Sequence, residues 1–298
     1  QTFHALTEQA YWRCSCYTGT NCSGTYACGD LPGCDTRQGV TIIWADCNGE
    51  ACIRPIEGLL YRLVENQEQV ATLGYVDTLE EQAVLEELLE TSKPDYPDTY
   101  PNTLHYLLKT PFRYPPLHWG SRFGRIHEPS LFYGGKSLEV TLAESAFYRF
   151  VFLRSMEGTA PAAKLNTEHT LFTVGYKTDK GIQLQQPPFS AFTAALRHRT
   201  EYSLTQALGT NMREAGVEAF EYLSARSARD ELCAALFTPI AFTDQAPQSR
   251  ENWFCELTQE QVTFKAMGSQ QVFSFCLEEF SVNRLFPMPA PSAPRNPV

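Results

Sequence analysis

Segments with helical periodicity and segments that read as strands follow one another in no regular order along this chain, and that order limits its fold more than any other feature. The clearest helix spans 78 to 92. Thr78 is a good N-cap, and Glu81 three residues later completes a capping box. Val84, Leu85, Leu88 and Leu89 then form one apolar stripe, with Glu80, Glu86, Glu87 and Glu90 on the wet side. Pro94, Pro97 and Pro101 end the helix and carry an extended linker. A second helix starts at Ser137, another N-cap candidate. Leu142/Ala143, Ala146/Phe147 and Phe150/Val151 repeat at helical spacing, which predicts packing along its whole length. A third covers 202 to 215, with Leu204, Ala207, Leu208, Met212 and Ala215 on one face and Gly216 as its C-terminal stop. Strand-like stretches are Val40-Thr41-Ile42-Ile43-Trp44, then 171–176, 217–222, 232–237 and 253–257. A doubly wound sheet needs strands and helices in alternation, so this order predicts an α+β fold.

Hydrophobic residues make up 43% of the 298 and charged residues 19%, enough apolar chain to bury a core and too little charge for global disorder. Acids outnumber bases 34 to 24, for a net charge of −10, which argues against a nucleic-acid binder that relies on a basic surface. The apolar runs fall far short of the roughly 20 residues of a membrane helix. Gln1 opens a polar stretch without the basic flank and apolar core of a signal peptide, so a cytoplasmic protein is expected. From Asp77 to Asp98 the local balance is −7, and from Lys109 to Arg154 it is +4. The positive stretch is interleaved with aromatics and glycines.

Seven of the ten cysteines (Cys14, Cys16, Cys22, Cys28, Cys34, Cys47 and Cys52) crowd into one short stretch. No two C-x₂₋₄-C pairs of the zinc kind can be made from them, although Cys14–Cys16 and Cys47–Cys52 are loose half-sites. Metal ligation, disulfides and thiols with no shared role all stay open. Cys233, Cys255 and Cys276, scattered among apolar neighbours, are expected to be ordinary buried thiols. The six histidines have no metal-ligand spacing, and no metal site is expected.

Common catalytic signatures are absent: there is no G-x-S-x-G, H-E-x-x-H, P-loop or G-x-G-x-x-G. One constellation stands out instead. Phe112-Arg113-Tyr114 and Gly120-Ser121-Arg122-Phe123-Gly124 place two arginines in segments rich in Gly and Pro, where a backbone can approach a ligand closely. Leu131-Phe132-Tyr133-Gly134 follows. Leu142-Ala143-Glu144 then puts a carboxylate beside a packed helix face, where it needs a partner or a task. Tyr222-Leu223-Ser224-Ala225-Arg226 places a serine at a strand end, with no histidine spaced to make it a hydrolase nucleophile.

In that order these motifs resemble the RES domain family, over residues 59 to 266. The Arg62-Leu63-Val64-Glu65 start and the Glu-rich helix resemble its longer bacterial form. The resemblance implies a fold like that of ADP-ribosyltransferases, a small twisted β-sheet region flanked by helices. It also implies a bacterial toxin that consumes NAD by phosphorolysis or hydrolysis, with NAD as substrate and no cofactor. A helix-turn-helix antitoxin would be its partner; direct nucleic-acid and membrane partners are not expected, and oligomeric state is open. Glu144 would face the developing ribosyl cation, Arg113 and Arg122 would grip the pyrophosphate, Tyr133 would frame the nicotinamide pocket, and Ser224 would fix the nicotinamide or its ribose. Two rivals stay open: protein ADP-ribosylation through the same site, and a non-enzymatic module in which the Cys-rich segment does the work. The domains expected are 1–58, a Cys-rich segment of unknown role; 59–266, the catalytic domain; and 267–298, an extension ending in a loose Pro-rich tail.

Overall fold

A computed structural model describes residues 42–66, 77–91, 93–94, 96, 103–156 and 163–289. Strand β3 (Leu165–Gln183) is the spine of an eight-stranded sheet. Residues 171–176 within it, apolar but for Thr173, are buried without alternation, as in a strand covered on both faces. Antiparallel β1 (Arg54–Glu65) lies along it, from the pair Arg54↔Gly181 to Glu65↔His169. β6 (Ser249–Leu257) takes the first half of its other edge, and β4 (Ala219–Leu223) pairs parallel with its last residues. β5 (Leu232–Leu236) follows β4, and β2 (Phe132–Gly135) joins β5 to β1. The strands β1-β2-β5-β4-β3 therefore close into a ring, while β7 (Gln261–Ala266) and β8 (Val272–Cys276) extend the sheet beyond β6. The fold is α+β, with a larger sheet than the resemblance implies.

The helices are α1 (Ile43–Asp46), α2 (Leu79–Thr91), α3 (Tyr106–Arg113), α4 (Leu138–Arg154), α5 (Thr193–Leu196), α6 (Ser203–Glu214) and α7 (Leu277–Phe280). Ser137 caps α4, its hydroxyl accepting from the Val140 amide at 3.3 Å. Leu142, Ala146, Phe147, Phe150 and Val151 then pack with Trp253, Phe264 and Phe280. Phe147 and Phe150 are fully buried, which is worth about 2–3 kcal/mol each in transfer free energy. Gly216, at φ +74°, ends α6 in a left-handed cap. Its amide reaches the Arg213 carbonyl and that of Val217 reaches Met212, both at 3.0 Å, so the last carbonyls of the helix are satisfied.

Several expectations change. Ile43 and Trp44 belong to α1 and are buried against Phe189, Leu208 and Met212; they do not form a strand. The two side chains find core partners there, and among the described residues no strand pairs with them; Val40 and Thr41 lie outside the described residues. The expected boundary at 58 falls inside β1, which pairs with β3 on both sides of it, so at least residues 42–58 are built into the core. The extension after 266 is also structural: β8 completes the sheet, Phe280 is buried, and Phe286 stacks on Phe147 with centroids 5.1 Å apart. Only 290–298 of the expected loose tail, and the cysteines from Cys14 to Cys34, lie outside the described residues. In α2 the cap is present, Glu81 N donating to Thr78 Oγ1 at 3.2 Å, but Glu81 closes on the Asp77 amide and not on that of Thr78. Its apolar stripe does not face the core: Val84 and Leu88 are 57% and 60% exposed, while Gln82 is buried. No helix among the described residues is long and apolar enough to cross a membrane.

Candidate functional site

A cavity of about 490 Å³ opens between the ring of strands, α3 and α4. Its walls include Arg62, Arg122, Tyr133, Glu144, Tyr222 and Arg226. Glu144 is half-buried on α4, and three contacts fix what stands beside it. Ser224, fully buried just past β4, donates its hydroxyl to Glu144 Oε1 at 2.5 Å. Ser224 Oγ in turn accepts from the amides of Arg226 at 3.0 Å and Ser227 at 3.1 Å. Two backbone donors thus aim the hydroxyl proton at the carboxylate. Ser224 is not among the residues that line the cavity; it reaches the cavity wall through its bond to Glu144.

Arg122 is carried by the loop 120–124, and α6 is shaped to receive that loop. Gln206 Nε2 donates to the carbonyls of Trp119 and Ser121, each at 3.0 Å. A Cβ at Gly209 would lie 1.8 Å from the Phe123 carbonyl oxygen, so only glycine lets loop and helix meet this closely. Arg122 itself is buried, donates Nη1 to the His198 carbonyl at 2.8 Å, and lies 4.8 Å over the Tyr202 ring. Tyr133 pins the loop from the sheet side, its hydroxyl 2.9 Å from Ser121 Oγ and accepting from the Phe123 amide at 3.3 Å. Burial pushes its phenol up to about 12, so it stays protonated.

Arg113 is not in the cavity. It sits in the last turn of α3 with Nε donating to the Pro94 carbonyl and its guanidinium 4.3 Å over the Tyr96 ring. Its helix neighbours Thr110, Pro111 and Tyr114 line the cavity instead. The segment was legible and the direction of its arginine was not. Three arginines that the sequence did not assign to the site line the cavity: Arg62 on β1, which donates to the Tyr133 carbonyl at 2.6 Å, Arg149 on α4, and Arg226. Arg62 and Arg226 stand in motifs already singled out, and that was their only signal; Arg149 had none. Arg149 is neutralised by Glu65, which also lines the cavity, at 2.7 Å. Among the described residues no group of three or more His, Cys, Asp or Glu could hold a metal ion. Cys47 and Cys52 are free thiols; burial pushes that of Cys47 up, with Cys52 and Asp46 adding to the shift.

The chain is thus an α+β domain in which a carboxylate and several arginines converge on a cavity of small-molecule size. The family model of the RES domain matches residues 99–257, more than half of the chain, and this protein belongs to the RES domain family. Arg122, Tyr133, Glu144 and Ser224 all fall within the match. Comparison with curated proteins finds no significant match. A chain of the crystal structure of the M. tuberculosis MbcT–MbcA toxin–antitoxin complex aligns at 10% identity and a TM-score of 0.40, over 79% of this chain and 93% of that one. A likeness at that score fixes neither fold nor activity.

Proposed function

We propose that the protein is an NAD-consuming toxin that cleaves the bond between nicotinamide and ribose, on an ADP-ribosyltransferase-like core. The observation that carries this is Glu144: a carboxylate held in place by Ser224 at the wall of a cavity that also receives Arg122. Cleavage breaks the C1′–N bond, and its electron pair goes to the pyridinium nitrogen, which leaves as neutral nicotinamide. Positive charge builds on C1′ and its ring oxygen. A fixed carboxylate a few ångströms away stabilises that charge more than it stabilises the ground state. Water or phosphate then adds through oxygen to C1′, and water gives up a proton as it does so. Ser224 acts through Glu144 as a positioning residue, Arg122 binds the pyrophosphate, and Tyr133 frames the nicotinamide pocket. Family membership supports an antitoxin with a helix-turn-helix as the partner and the bacterial cytoplasm as the place of action.

Incubation with NAD, with and without inorganic phosphate, tests the reading. Free nicotinamide with ADP-ribose 1″-phosphate marks phosphorolysis, and with ADP-ribose hydrolysis. Label carried onto protein from NAD in lysate marks protein ADP-ribosylation. Intact NAD under all three conditions would sink the proposal.

A further inference from the structure

Arg226 is 4% exposed, and its charge is incompletely met. Nη2 donates to the Tyr202 hydroxyl at 2.5 Å, and the guanidinium lies 3.5 Å over the Phe147 ring. Nη1 is buried and meets no acceptor among the described residues. Tyr202 stands between this arginine and Arg122, offering its hydroxyl to one and its ring face to the other. Two buried guanidinium groups therefore share one tyrosine. Neither has a carboxylate within ion-pair distance among the described residues, in contrast to Arg149, which has Glu65. Glu144 is the nearby acid, and its charge reaches Arg226 while that of Arg122 opposes it. Two buried guanidiniums thus stand beside a single half-buried carboxylate, with no ion pair to it. An uncompensated buried charge is costly, and an unsatisfied buried N–H adds to that cost. Such a cluster is stable where an anion completes it.

We infer that Arg226, paired with Arg122 through Tyr202, forms a subsite for phosphate oxygens beside Glu144, and that Arg226 Nη1 donates to one of them. The oxygen belongs either to the pyrophosphate of the substrate or to an incoming orthophosphate. Arginine suits both, because its donors match the spacing of phosphate oxygens and its charge is permanent. The inference rests on the NAD reading for its place in catalysis but not for the anion site itself. With the subsite on one side and the ribosyl carbon at Glu144 on the other, specificity would exclude nicotinamide ribosides that carry no phosphate.

The test reads melting temperature and turnover on the full chain. Inorganic pyrophosphate or orthophosphate at millimolar concentration is expected to raise the melting temperature of the parent by several degrees. A shift with pyrophosphate alone assigns the subsite to the substrate, and a shift with orthophosphate as well assigns it to the acceptor. Arg226→Lys, and the milder Tyr202→Phe, should lose most of the shift. Arg226→Lys should also weaken NAD binding about tenfold or more, because lysine lacks the forked donors. Nicotinamide riboside should be a poor substrate for the parent. No shift with either anion overturns the inference, whether or not the variants fold. So does an unchanged shift in both variants. A parent stabilised by pyrophosphate through Arg226 that releases no nicotinamide would refute the NAD reading and leave the anion subsite standing.

Discussion

Ser224 and Glu144 are 80 positions apart in sequence and joined by a hydrogen bond of 2.5 Å between Ser224 Oγ and Glu144 Oε1. Because the amides of Arg226 and Ser227 fix the serine oxygen, the hydroxyl has one direction left for its proton. Ser224→Ala is therefore expected to leave a folded protein whose carboxylate can swing. Turnover of NAD should fall about 10- to 100-fold, since misplacing a catalytic group by about 1 Å is enough for that. Steady-state kinetics would check it: the loss should appear in kcat, with KM little changed. A loss confined to KM would return Ser224 to direct contact with the ligand.

Arg113 and Arg122 should now behave differently. Arg122→Lys is expected to weaken NAD binding about tenfold or more, because the fork is lost where the cavity needs it. Arg113→Ala should leave affinity within about twofold, as it gives up a carbonyl and a ring contact outside the cavity and no bond to a ligand. Titration calorimetry on both variants decides. Equal weakening would mean that α3 reorients when ligand binds.

The chain should tolerate loss of residues 1–41 and not loss of 1–57. A protein starting at residue 58 lacks Ile43, Trp44 and Cys47, all buried in the core, and the first four residues of β1. It is expected to aggregate, with apolar surface exposed and β3 left partly unpaired. A protein starting at Ile42 should elute as a folded species on size exclusion and retain activity. Solubility and activity of the shorter chain would contradict the packing described.

Glu221 supplies a pH-dependent part of the stability. It is buried and accepts from Lys136 Nζ at 2.5 Å and from Gln183 and Gln185 Nε2, each at 3.0 Å; Tyr176 also donates to it. Burial pushes its carboxyl up, but the bonds from Lys136, Tyr176 and Gln183 outweigh that and hold it below its ordinary 4.5. A folded pKa below the unfolded one gives stability that is fully present above the unfolded value and lost as pH falls through the folded one. The melting temperature of the parent should therefore drop on acidification below about pH 4.5. Glu221→Gln should flatten that dependence and, by leaving Lys136 without its carboxylate, cost about 2–3 kcal/mol at neutral pH. Denaturant unfolding across pH 3 to 7 measures both. Identical slopes for parent and variant would remove Glu221 from the account.

Much of the architecture could be read in residues with a local signature. Ser137 and the paired apolar positions after it specified α4, and Gly216 marked the end of α6, because caps and periodicity act within one element. β2 carried no such signature. Its four residues end in two glycines, one of which is there because a Cβ at Gly135 would lie 2.3 Å from Thr141 Oγ1. β1 was hidden because Pro55, Glu57 and Gly58 break the alternation that a strand ordinarily shows. The stripe on α2 was real, but periodicity says that a helix has an apolar face and not what lies against it. Glu144 and Ser224 were legible as residues in need of a task; that one holds the other emerges only when β4 and α4 are brought together. The placement of Arg113 outside the cavity lining was hidden for a similar reason, since Gly and Pro nearby indicate an open backbone and not the direction of a side chain.

The central claim is that the Glu144 carboxylate drives cleavage of the nicotinamide–ribose bond. Gln at this position keeps the shape and can still accept from Ser224, but it removes the charge that faces the ribosyl cation. Release of free nicotinamide from NAD, followed by chromatography for the parent and for Glu144→Gln, measures this directly, with NAD affinity of the variant determined by calorimetry. The account predicts release by the parent, a loss of about 10²-fold or more in the folded variant, and affinity for NAD largely retained. A folded Glu144→Gln protein that releases nicotinamide near the parental rate would contradict it.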